Sequence, residues 1–343
     1  MKMKKLVCML LVFIFTVLVV SVPGAAAEPA EDASVVPVTH YEYPITPDSP
    51  DWFNYTVLEK VEMLRIPDGI LERMTDEALV TAIAEYPYLV DLGVYGSIDE
   101  SVPICCEYFS ALNELLSRDT AQQAMSTYGL QVVENAAQLA SADNDDFENV
   151  FLTYKMRELV NYICDDAAIE VSFNEEVGTY TVWKTVYTPK GTAVKCYVTT
   201  EGDSKSYHLS EDQRLMSLYN ITLVSSVTCL YNCHSYAWYN RSTSNTYRMD
   251  DPSAYMTDGS YRQVYSGSAG PLYMGSGIQK GDIVYYGRGS HSAVITASPT
   301  ASSAAIGNAP CISKWGPAGV FQHPFGEVPA SYITTSLTVW RLN

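Results

Sequence analysis

Between about residues 54 and 168 the apolar residues recur at helical spacing; past Ile169 they alternate every second residue. A chain with that change of period is of the α+β class, a helical segment followed by antiparallel strands. In the first part, Thr75 opens TDEALVTAIAEY as a capped helix with acids in its first turn. Leu112, Leu115 and Leu116 share one side of a helix. Phe147, Val150, Phe151, Tyr154, Met156 and Leu159 mark a long amphipathic stretch. In the second part, TYTVWKTVYTPKGTAVKCYVTTEG alternates on both sides of Thr-Pro-Lys-Gly, the pattern of a β-hairpin. QKGDIVYYG, HSAVITAS, APCISKW and LTVWRLN are strand candidates.

The start of the chain bears on compartment. MKMKK, an apolar run and GAAAEPA have the three parts of a secretory signal peptide, with cleavage near Ala27. The expected location is therefore extracellular or in the cell envelope, with no membrane span once the signal is removed. The expected layout is a signal at 1–27, a polar Pro-rich arm at 28–53 and an α-helical domain at 54–168. A β-hairpin and connecting region follow at 169–219, and a second domain at 220–343. The helical domain holds no metal-spaced cluster, and its expected role is structural or binding of a protein partner.

The formal charge is −18, more negative still without Lys2, Lys4 and Lys5. Such a chain repels nucleic acid. Of eight cysteines, Cys8 lies in the signal and seven remain. An odd number in an exported chain leaves at least one thiol outside any intramolecular pair.

That arithmetic draws attention to YNCHSYAWYN, residues 231–240. Asn232 is a good N-cap, which places Cys233 at a helix start, where unpaired N–H groups favour the thiolate. The same N–H groups can hold an oxyanion. His234 is a poor base for its neighbour, because adjacent helical side chains diverge, and it is expected at the pocket rim. His291, at the first position of a strand in GRGSHSAVITA, is the better base. Period two puts His291, Ala293 and Ile295 on one face, leaving room for the helix that carries the thiol. Trp238, Tyr286 and Trp315 are candidate pocket walls. Cys229, Cys233, His234, His291 and Cys311 do not have the spacing of a zinc site, so no metal or cofactor is expected.

From about residue 225 onward the chain resembles the papain-like cysteine peptidase and amidase superfamily, in particular its NlpC/P60 and CHAP branches. YNCHSYAWY is similar to the nucleophile block, GDIVYYGRGSHSAVI to the Gly-Asp strand and the histidine strand, and CISKWG to the strand bearing the residue that orients the histidine. The resemblance implies a papain-like domain whose antiparallel sheet packs on the nucleophile helix. It implies a cysteine hydrolase, an amidase or endopeptidase with Cys233 as nucleophile and His291 as base, acting on peptide or peptidoglycan without a cofactor. Ser313 falls at the orienting position, with His323 and Lys314 as alternatives, although serine departs from the usual Asn, His, Gln or Glu. Asn232 matches the position of an oxyanion-donating side chain. The rival expectation is an inactive binding module or envelope interaction protein, its cysteine locked in a disulfide with Cys229 or Cys311.

Overall fold

Helix formation begins where side chains can satisfy the first free N–H groups. The computed structural model describes residues 36–95, 97–142, 147–164, 182–198, 205–268, 277–287, 291–298, 309–333 and 336–343. The expected signal peptide, the first part of the arm and the Gly-rich turn at 288–290 lie outside them. The first helix, α1 (Val57–Met63), is closed by a capping box: Glu59 N–H donates to Thr56 Oγ1, and Thr56 N–H to the Glu59 carboxylate. After α2 (Asp68–Leu71), α3 (Asp76–Ala84) starts at Thr75, which accepts from Ala78 N–H as the sequence predicts. A 3₁₀ segment, Pro87–Gly93, leads to α4 (Ile98–Cys105), α5 (Ser110–Ser117), α6 (Ala121–Ala124), α7 (Leu130–Ala142) and α8 (Phe147–Cys164). Arg118 holds part of this layer together. It donates to Asp76, to Glu114 and to the carbonyls of Leu71 and Met74.

The predicted hairpin forms as β1 (Val182–Tyr187) and β2 (Ala193–Val198), with Gly191 at φ +86 supplying the left-handed turn position. Helix α9 (Lys205–Leu218) packs against α8. Lys155 on α8 bridges Glu158 at 3.0 Å and Glu211 on α9 at 3.7 Å.

Among the described residues the main sheet has seven strands: β3 (Thr222–Ser225), β4 (Tyr261–Ser268), β5 (Ile283–Tyr285), β6 (Ser292–Ile295), β7 (Pro310–Lys314), β8 (Val320–Pro324) and β9 (Ser336–Leu342). Its order is β3-β8-β7-β6-β5-β9-β4, and every pairing is antiparallel. Helix α10 (Ser253–Thr257) precedes β4, and α11 (Ala330–Ile333) precedes β9. The chain is thus a mixed α+β protein.

Both faces of the sheet are buried, in different company. Val284, Ala293, Ile295, Cys311 and Val339 share one continuous core with Leu79, Ile83, Leu112 and Leu159 of the helical layer. Helices and sheet are therefore layers around one core. Trp52 Nε1–H donates to the Leu218 carbonyl, and Tyr332 OH to the Val94 carbonyl, across the same layers. Gly316, at φ +48, lets backbone meet backbone: a Cβ there would stand 2.9 Å from the Val94 oxygen. The opposite face, with Ile283 and Val294, packs on Ala237, Trp238, Met249, Tyr255 and the hairpin's Val186, Val194 and Cys196.

Candidate functional site

The segment that carries Cys233, the expected nucleophile, is short. Tyr236 N–H donates to the Asn232 carbonyl, then Asn240 N–H reaches back to Ser235, closing a π-helical turn over Ser235–Tyr239. Such wide turns concentrate at functional sites, where they re-aim side chains. Asn232 caps the segment as expected, its Oδ1 accepting from Ser235 N–H at 3.2 Å. The rest of its carboxamide is a strut: Nδ2–H donates to the Met249 carbonyl and Oδ1 also accepts Met249 N–H. These bonds tie the Asn232 carboxamide to Met249. The preceding loop is held too. Asp212 accepts from Val227 N–H, from the Ser226 hydroxyl and from Gly319 N–H. Arg248 donates to the Cys229 carbonyl and to Tyr197 OH.

Cys233 is 7 % exposed and is a free thiol, as are Cys105, Cys106, Cys164, Cys196 and Cys311. No disulfide joins it to Cys229 or Cys311. Burial pushes the thiol up, and this is the largest single influence. The positive charge of His234, then that of His291, and the close approach of both rings outweigh it and hold the thiol well below its ordinary pKa. Cys105 and Cys311, buried without such neighbours, are pushed the other way.

Consecutive strand residues face opposite ways, and residues 291 and 292 use both directions. His291 lies on the side of Ala293 and Ile295, towards the helical layer. It is fully buried and stacks on Tyr332 of α11, ring centroids 4.3 Å apart and planes 5° from parallel. Tyr286 flanks it at 5.3 Å. Ser292 lies on the side of Val294 and meets the nucleophile segment. Its hydroxyl is 2.8 Å from His234 Nδ1 and accepts Trp238 Nε1–H at 2.9 Å. The nucleophile helix therefore packs on the face opposite the one expected from His291, Ala293 and Ile295. The influence of Cys233 extends to both sides of the sheet: its charge acts on Tyr285 of β5 and on Tyr332.

His234 is likewise corrected. It is 4 % exposed, inside the site rather than at a rim, and its ring acts on the sulfur. Ser313 shares the His291 face but does not orient that ring. Its hydroxyl is 2.7 Å from His323 Nε2 and accepts Trp315 Nε1–H at 2.9 Å. His323 Nδ1 faces the Pro324 carbonyl, an acceptor only, so Nδ1 carries the proton and Ser313 donates to Nε2. Burial holds His323 neutral, its pKa pushed down to about 3. Neither His291 nitrogen closes a hydrogen bond of normal geometry among the described residues. The ring acts on the thiol through charge and proximity, and its orientation is set by stacking. Lys314 faces the other way, as expected, donating to the Gly316 and Ala318 carbonyls, and burial pulls its pKa down to about 7.

Trp315 and Tyr286 are fully buried. Trp315 packs on Tyr219, Phe321 and His323, and Tyr286 stacks on Phe325 and donates to its carbonyl. Both are core residues, not open pocket walls. Trp238 is buried as well, tied to Ser292. Among the described residues no group of three or more His, Cys, Asp or Glu side chains is placed to share a metal ion.

Sequence reasoning missed Ser292 and Tyr332. The first stands beside His291 and was available to the period-two argument that placed His291. The second lies in VPASYIT, which has no periodic signal and sits forty-one residues from the ring it supports. No protein-family model, no curated protein and no solved structure matches the chain.

Proposed function

We propose that the protein is a cysteine hydrolase of papain-like type that cleaves amide bonds, with cell-wall peptides as its substrate class. One observation carries the reading: Cys233, although buried, stands between two imidazoles that favour its thiolate, the form that attacks carbonyl carbon. The neighbouring antiparallel strands β5, β6 and β7 follow the nucleophile segment in the order the resemblance implies.

In this reading the Cys233 sulfur bonds to the amide carbonyl carbon, and the backbone N–H of Cys233 steadies the resulting oxyanion. Protonated His291 gives its proton to the departing amine as the C–N bond breaks, leaving a thioester. His291 then takes a proton from water, whose oxygen attacks the thioester. The acid leaves and the thiolate returns. No cofactor takes part. The signal-like start of the chain supports a secreted protein acting at the cell envelope. The helical layer, whose Tyr332-anchoring carbonyl belongs to Val94, supports the site from behind.

The test is incubation of the protein lacking residues 1–27, and of its Cys233→Ala variant, with purified cell wall, reading released peptides by mass. Release is expected from the first, and at least about 10³-fold less from the variant. Equal release from both, or none from either, overturns the proposal.

A further inference from the structure

The hydrolase reading assigns one histidine to the thiol, yet the structure brings two. Residues 233 and 234 are consecutive on the nucleophile segment; residues 291 and 292 are consecutive at the head of β6. They pair in order: the charge of His291 acts on Cys233, and His234 Nδ1 lies 2.8 Å from Ser292 Oγ, with the same separation of 58 along the chain. The two imidazoles are held differently. His291 has no hydrogen-bonded nitrogen among the described residues and is fixed by the Tyr332 stack. His234 is tethered, because Ser292 also receives the Trp238 indole N–H and cannot turn freely. An untethered imidazole can pass a proton between partners. A tethered one is preorganised to donate to a charge that comes and goes.

We propose that His234 is a second catalytic histidine: positioned by Ser292 and Trp238, it donates to the Cys233 sulfur whenever that sulfur is anionic, leaving His291 to carry the proton. This deepens the hydrolase reading and rests on it. The sulfur is anionic twice in the cycle, before attack and again as the thioester C–S bond breaks. In the second event the water-derived oxygen bonds to the carbonyl carbon, the electron pair of the C–S bond returns to sulfur, and His234 stabilises the leaving thiolate. No redox partner is involved. The titratable groups facing Cys233 are His234 on its own segment, His291 at the head of β6, Tyr285 on β5 and Tyr332 on α11. His323 on β8 lies behind His291 and stays neutral, and Asp251 acts on Tyr285.

Iodoacetamide alkylation of Cys233 between about pH 4 and 9 reads the thiolate directly and needs no substrate. Mass spectrometry of the peptide between Arg214 and Arg241, with fragment ions separating Cys233 from Cys229, follows the reaction. Full-length chains lacking only residues 1–27 are compared. In His234→Phe the onset of alkylation is expected to move up by about one pH unit, giving about tenfold slower labelling at pH 6. His234→Gln, which keeps an N–H donor, is expected to recover part of that rate. His291→Ala removes the other imidazole and is expected to raise the onset as well, while also losing peptide release. Ser292→Ala, which removes the tether and leaves His234 in place, is expected to shift the onset in the same direction and serves if His234→Phe fails to fold. An unshifted onset in His234→Phe, or in Ser292→Ala where the former does not fold, overturns the proposal. Shifted onsets with no peptide release from the unaltered protein would uphold the pairing of the two histidines while sinking the hydrolase reading.

Discussion

A ring with no hydrogen bond on either nitrogen among the described residues is held in another way, and for His291 that is the Tyr332 stack. The tyrosine's own hydroxyl donates to the Val94 carbonyl at 2.8 Å, so the support is itself supported. The two functions of Tyr332 separate by substitution. Tyr332→Phe keeps the stacked face and loses one buried hydrogen bond, about 1 kcal/mol of stability. Tyr332→Ala also loses the ring, costing about 3–5 kcal/mol and freeing His291 to rotate. Urea denaturation checks the stabilities. Peptide release is expected to stay near the unaltered level in the Phe variant and to fall at least about tenfold in the Ala variant, in the pH range where both are folded. Equal loss in the two would assign the effect to the hydroxyl instead. The same comparison bears on Ser313, whose partners are His323 and Trp315: it belongs to the framework behind His291 and not to its orientation.

Among the elements, the 3₁₀ segment Pro87–Gly93 carries the most consequential buried charge. Asp91 is fully buried and accepts from Tyr108 OH at 3.0 Å and Tyr219 OH at 2.7 Å. Burial outweighs these bonds and raises its pKa from 3.8 to about 7. Between those values the folded chain holds a proton that the unfolded chain has released. Stability contributed by Asp91 is therefore complete below about pH 4, falls with rising pH and is lost above about pH 7. Relative to Asp91→Asn, the unaltered protein is expected to lose roughly 1 kcal/mol per pH unit across that window, read by urea denaturation at several pH values. A constant difference between the two would show Asp91 ionised throughout. Which elements were legible in the sequence follows from how local their signals are. The cap at Thr75, the Thr-Pro-Lys-Gly hairpin and the strands around residues 283–285 and 292–295 each rest on a few adjacent residues, and each stands where its pattern lies. Period two correctly grouped His291 with Ala293 and Ile295 but held no information on which layer would cover that side. Hence the nucleophile helix was expected on the wrong face, and Ser292, its true contact, was passed over. Tyr332 was invisible because a stack formed across 41 residues leaves no trace in either sequence neighbourhood.

At the scale of the molecule, the helical layer and the sheet share their core. Tyr219 packs edge-on against Trp315, Tyr88 against Tyr219, and Trp52 against Tyr88, a chain of rings running from the sheet into the first helices. The boundary suggested near residue 220 thus falls between elements but not between cores. A fragment spanning 220–343, expressed alone, is expected to show no cooperative urea transition and to bind a hydrophobic dye, because one entire face of its sheet has lost its cover. A sharp transition in that fragment would establish independent folding. The order of the sheet has one more consequence. The last described strand, β9, does not join an edge; it lies between β5 and β4 and hydrogen-bonds to both. During synthesis β5 and β4 can only wait, their facing edges unmatched, until residues 336–342 emerge to fill the gap. With Tyr332 arriving just ahead of that strand, a nascent chain carries Cys233 about a hundred residues before it holds the ring that stacks on His291.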